Sequence, residues 1–183
     1  MANKVSPCGL GENDASIGST AWTSPANVGA SDGLHATNVM GSDGVQTNYL
    51  KCTTFLDLSI PSGATINGIV VEFEKSYNGS ASPCKDNAVR IIKGGTIGST
   101  DKSNGSNWST TDTTVSYGSS SDLWGETWTD SDINADNFGV ALSAVAVGGI
   151  SQGLVDFCRI TVHYTASGGQ PPRTMHQSRM RRV

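Results

Sequence analysis

A chain of 183 residues with 22 glycines and only 15% charged residues fits one domain of short strands joined by frequent turns, and argues against a bundle of long solvent-facing helices. The formal net charge is −4, but Arg173, Arg179, Arg181 and Arg182 put +4 on residues 166–183 without an acid, which leaves −8 on residues 1–165. An acidic body argues against a basic nucleic-acid-binding face, and without eighteen consecutive apolar residues no transmembrane helix is expected.

Residues 1–17 are rich in Gly, Asn and Ser with no period, and read as an N-terminal arm that orders on a partner. The same stretch lacks the apolar core of a secretory signal. Segments 34–40 and 49–58 are the first strands, and Gly41-Ser42-Asp43-Gly44 between them predicts a hairpin. In 66–77, Ile69, Val71 and Phe73 alternate with Glu72 and Glu74, the period-two pattern of a strand with one wet face. Residues 78–86 form a loop, 87–93 a short strand with Val89 and Ile91 inward, and Gly94-Gly95 a turn.

Residues 96–111 are polar and glycine-containing, so they are expected to wander over the surface with Trp108 exposed, before a strand at 113–117. Trp124 and Trp128 stand four apart and should plug one end of the core. Thr129-Asp130-Ser131-Asp132-Ile133-Asn134 predicts one capped helical turn and no other helix. The last strands are 137–147 and 154–164; in the second, Cys158, Ile160, Val162 and Tyr164 alternate with Arg159, Thr161 and His163.

About eight such strands predict an all-β fold, an antiparallel two-sheet sandwich of jelly-roll type spanning residues 18–165. Residues 166–183 open on a Gly-Pro linker and read as a basic tail that orders only against something else.

Four cysteines without a CxxC pair do not make a zinc site or a disulfide scaffold. Cys52 and Cys158 share the inward parity of their strands, whereas Cys8 and Cys84 each follow a proline. Those two are expected in loops, exposed enough to pair with each other or with a neighbouring subunit, or to remain free thiols. Ser31, Asp32 and His35 sketch a hydrolytic group, but neighbours on a strand face opposite ways and no GxSxG elbow exists. His163 belongs to a wet strand face and His176 to the tail.

Glu72 and Glu74 read as a solvated face rather than a glycosidase pair. Asp130, Asp132, Asn134 and Asp136 lack the glycine and closing glutamate of a calcium loop, and helix capping accounts for them. The glycines at 94–98 have no phosphate-loop lysine. No catalytic residue, metal or cofactor is therefore expected.

Several short motifs carry a resemblance. Thr20-Ala21-Trp22, Ser24-Pro25-Ala26-Asn27, Ala30-Ser31-Asp32-Gly33 and Ile60-Pro61-Ser62-Gly63-Ala64-Thr65-Ile66-Asn67-Gly68 come first. Asp122-Leu123-Trp124-Gly125, Trp128-Thr129, Phe138-Gly139-Val140-Ala141-Leu142 and Arg159-Ile160-Thr161-Val162-His163-Tyr164 follow. Over residues 18–165 the chain resembles a β-sandwich module of virion structural proteins of tailed bacteriophages.

The resemblance implies a non-enzymatic protein made in the host bacterial cytoplasm and located in the virion, decorating or reinforcing the capsid through its terminal arms. A collar or tail fibre-type accessory role, or receptor and glycan binding with Trp108 as an exposed contact, are the alternatives. Partners would be other virion proteins, reached through Arg173, Arg179, Arg181 and Arg182, with no membrane and no direct nucleic acid. A homo-oligomer is expected, a trimer among the candidates.

Overall fold

A computed structural model describes residues 1–167. Ten strands form two antiparallel sheets of five: β1 (Ala2–Pro7), β2 (Leu10–Asp14), β3 (Ala36–Met40), β4 (Tyr49–Thr53), β5 (Thr65–Tyr77), β6 (Cys84–Lys93), β7 (Thr96–Asp101), β8 (Thr113–Gly118), β9 (Gly139–Ala146) and β10 (Ser151–Thr165). The first sheet has β10 and β5 at its centre and β8 on one side. On its other edge β10 takes β3 along residues 151–155 and β1 along residues 159–164. The second sheet runs β2-β4-β9-β6-β7.

The alternation of β5 and β10 builds this arrangement. Ile69, Val71 and Phe73 face Cys158, Ile160 and Val162 along the β5–β10 ladder, and all six are fully buried. They meet Leu50, Cys52, Val89, Ile91, Val140 and Leu142 of the second sheet in one apolar cluster, so each sheet hides one face against the other. A smaller cluster on the opposite face of the second sheet packs Tyr49, Ala88, Ile92 and Ala141 against Ile17 and Ile97.

Four expectations need correction. Residues 1–17 are not an irregular arm, because β1 adds an edge to the first sheet and β2 an edge to the second. Segments 34–40 and 49–58 do not make a hairpin: β3 and β4 lie in different sheets. Thr47 donates to Ala144 O at 2.9 Å and Val45 O accepts from Ala146 N–H at 3.0 Å, and these bonds to β9 carry the chain across. The polar stretch after Gly95 is a strand, β7, paired with β6. Beside the expected helical turn α1 (Asp130–Ile133) there is a 3-10 turn at Pro25–Val28, which buries Val28. Among the described residues no helix is long and apolar enough to cross a membrane.

Candidate functional site

Lys75 continues the inward parity of Ile69, Val71 and Phe73 on β5, so the strand that carries the core also sends an amine into it. Its side chain is 2% exposed and reaches Asp86 of β6, whose side chain is 0% exposed. A bulge between Asp86 and Ala88 turns the carboxylate inward, out of step with Val89 and Ile91 further along the same strand. The pair therefore spans the two sheets.

The Asp86 carboxylate is fully engaged. Oδ1 accepts from Lys75 Nζ and from Trp108 Nε1 at 2.8 Å. Oδ2 accepts from Tyr117 O–H at 2.7 Å and from Asn104 N–H at 2.9 Å. Lys75 Nζ also donates to the Tyr117 oxygen at 2.5 Å, and lies 4.5 Å and 5.2 Å from the ring centroids of Trp108 and Tyr117. Burial pushes the Lys75 amine below its ordinary range, partly offset by the Asp86 charge. Burial, with Asp86 adding to it, pushes the Tyr117 phenol up. A cavity of about 180 Å³ adjoins the pair, lined in part by Asn104, Asn107, Trp108 and Thr113.

One residue along β5, Ser76 donates to Asp112 Oδ1 at 2.7 Å, and His35 Nε2 lies 3.0 Å from Asp112 Oδ2. Asp156, at a bulge of β10, is 3% exposed and accepts from Gly33 N–H at 3.1 Å and 3.3 Å. Donor atoms of His35, Asp112 and Asp156 approach within 4.8 Å of one another, a set of one imidazole and two carboxylates suited to a divalent cation. Each already has a protein partner. The carboxylate stands between hydroxyl and imidazole, so His35 does not reach the Ser76 oxygen as a base in a triad must. The sketched Ser31-Asp32-His35 group does not form: His35 Nε2 turns to Asp112 and Asp32 accepts from Leu34 N–H at 3.0 Å.

Three site expectations change. Trp108 is not an exposed contact: it is 6% exposed, drawn inward because its indole N–H serves the buried Asp86. Cys8 and Cys84 are buried rather than loop-exposed. Cys8 N–H bonds Cys158 O at 2.9 Å and extends the β1 edge, while Cys84 opens β6 opposite Ala146, so the prolines before them precede sheet positions. Contact with the Cys52 thiol and burial push the Cys8 thiol far up, and burial pushes Cys84 up to about 11. Both are free thiols, and a cross-link between subunits would need one at the surface. Arg173, Arg179, Arg181 and Arg182 lie outside the described residues.

At the opposite end of the sandwich, Asn134 at the end of α1 brackets the backbone of Ile60, accepting at 2.8 Å and donating at 2.9 Å. Asp130 accepts from Gly63 N–H at 3.1 Å, and Ser167 donates to Ser62 O at 3.2 Å. A cavity of about 290 Å³ opens beside them, lined by Phe55, Leu56, Ser59, Asn134, Ala135 and Asp136. The oxygen-rich group at 130–136 thus serves turns and a helix cap. Comparison of the chain with protein-family models, with curated proteins and with solved structures finds no match.

Proposed function

We propose that this chain is a non-enzymatic structural module of a tailed-phage particle, seated on the capsid through its basic tail. The observation that carries the reading is the polarity of the molecule. Ala2 pairs with Tyr164, so the chain start and the exit of residues 166–183 share one end, beside the 60–63 turn and α1. The end that bears Lys75, Trp108 and His35 points the other way.

Two features support a building role. An acidic body with a separate +4 segment suits a sandwich that is held by its tail and kept off other polyanions by its body. The reactive groups are engaged with partners of the same chain, Lys75 with Asp86 in the core and His35 with Asp112 at the surface. Because β1 and β2 belong to the sheets, docking falls to residues 166–183 alone. The glycan-binding alternative is weakened at Trp108, its exposed-contact candidate, which is buried.

The test is co-sedimentation with tailed-phage heads that lack the protein. The full chain is expected to bind, and a chain ending at Thr165, or one with Arg173, Arg179, Arg181 and Arg182 all changed to Ala, is expected to lose binding while keeping its β-sheet circular dichroism. Full-strength binding by either variant would overturn the tail-docking reading, and failure of the full chain to bind heads would overturn the capsid assignment.

A further inference from the structure

We propose that Lys75 and Asp86 condense to an intramolecular isopeptide bond that ties the two sheets together covalently. The inference concerns the folded domain itself and does not depend on what the module is attached to.

The geometry supplies a nucleophile, an acyl carbon and a proton path in one buried site. Lys75 Nζ touches Asp86 Oδ1, and neither side chain is more than 2% exposed, so the two groups are held together at high effective concentration. A buried ammonium–carboxylate pair interconverts with an amine–carboxylic acid pair by one proton transfer, and burial favours the uncharged form. The downward push on the Lys75 amine acts in the same direction.

Tyr117 bridges the reacting groups. Its oxygen accepts from Lys75 Nζ at 2.5 Å and its hydroxyl donates to Asp86 Oδ2 at 2.7 Å, a relay from the attacking nitrogen to the departing oxygen. Trp108 Nε1–H, 2.8 Å from Oδ1, stabilises the negative charge that grows on that oxygen as the tetrahedral intermediate forms.

The balance closes without any co-reactant. Starting from the ammonium and the carboxylate, Nζ gives up two protons, and both reach Oδ2 through the tyrosine. The Nζ–Cγ bond forms, the Cγ–Oδ2 bond breaks and one water leaves. Oδ1 remains as the amide carbonyl, still accepting from Trp108, and the amide keeps one N–H. Nothing is oxidised or reduced. The adjoining cavity of about 180 Å³ has room for the departing water. Condensation also removes two buried charges, which offsets the ordinary preference of an amide for hydrolysis.

Intact mass spectrometry of the purified full chain is the test, with fragment spectra to locate the change. The expected result is a mass one water below that of the sequence, and a branched peptide in which the Lys75 and Asp86 segments are joined. Locating the loss matters because Asp32-Gly33 and Asp43-Gly44 can also lose water by cyclising. Lys75→Met should restore the full mass, and Tyr117→Phe should slow bond formation by about 100-fold.

Acetylation of the guanidinium-unfolded wild-type chain gives a second readout that needs no variant. A linked Lys75 stays unacetylated. Full sequence mass together with quantitative acetylation of Lys75 would show a plain ion pair and overturn the proposal.

Discussion

Thr129 and Asp132 exchange bonds at the start of α1: Asp132 N–H donates to Thr129 Oγ1 at 3.1 Å, and the Asp132 carboxylate accepts from Thr129 N–H at 2.9 Å. This closes a capping box and satisfies two amides that a helix start leaves free. Removing the hydroxyl with Thr129→Ala should lower stability by about 1 kcal/mol. The Thr129 N–H, then its hydroxyl and Lys93, hold the Asp132 carboxyl below the usual carboxylate range. A depressed folded-state value means stability that is present above the unfolded pKa and is lost as pH falls through the folded one. Of the gap between wild type and Thr129→Ala, the part that the hydroxyl gives to the Asp132 carboxylate should thus be present above about pH 4 and fade on further acidification, whereas the part from the Asp132 N–H bond to Thr129 Oγ1 remains. Urea midpoints measured for both chains down to acid pH check this; a gap of unchanged size in acid would mean that the Thr129 hydroxyl draws no stability from the Asp132 carboxylate.

The strands that were legible in the sequence are those whose inward positions are apolar. In β5 the alternation holds unbroken from Ile69 to Lys75 and in β10 from Phe157 to Tyr164, and register follows from it. β1 and β2 carry no such signal: in β1 the buried position is Ser6, while Val5 is 46% exposed. In β2 the buried position is Gly11, where an added Cβ would lie 2.0 Å from Pro25 O. These strands are held by backbone pairing and close approach rather than by an apolar stripe, which leaves composition alone to suggest an arm. Edge strand β7 is hidden for the same reason. Deleting residues 2–14 should therefore act as the loss of two sheet edges, exposing the free backbone of β10 and β4. A large drop in the thermal midpoint or aggregation on size exclusion is expected, and an unchanged midpoint would mean that β1 and β2 do not support the sandwich. At the site, Lys75 could be placed inward by parity, but Asp86 could not, since the bulge beside it changes parity within one strand.

Across the whole molecule, two pairs of tryptophans report on the two ends of one core. At one end, a Cβ added at Gly153 would lie 3.3 Å from Trp108 and 3.7 Å from Trp22, so both rings close on the same point of β10. At the other, Trp124 donates to Ile69 O at 3.0 Å, and Trp128 meets Phe138 edge-on at 5.4 Å between centroids. All four belong to the single apolar cluster or pack against it, and β5 and β10 run the length of the sandwich between them. Neither end can lose its packing without opening the strands that serve the other, so unfolding should be all-or-none. Chains that keep only Trp22 and Trp108, or only Trp124 and Trp128, with Phe in place of the others, separate the two ends by fluorescence. Within each chain, the guanidinium midpoint from fluorescence should coincide with that from far-ultraviolet circular dichroism. A fluorescence transition that precedes the loss of sheet signal at either end would mean that this end opens on its own, and that the sandwich is two cooperative units rather than one.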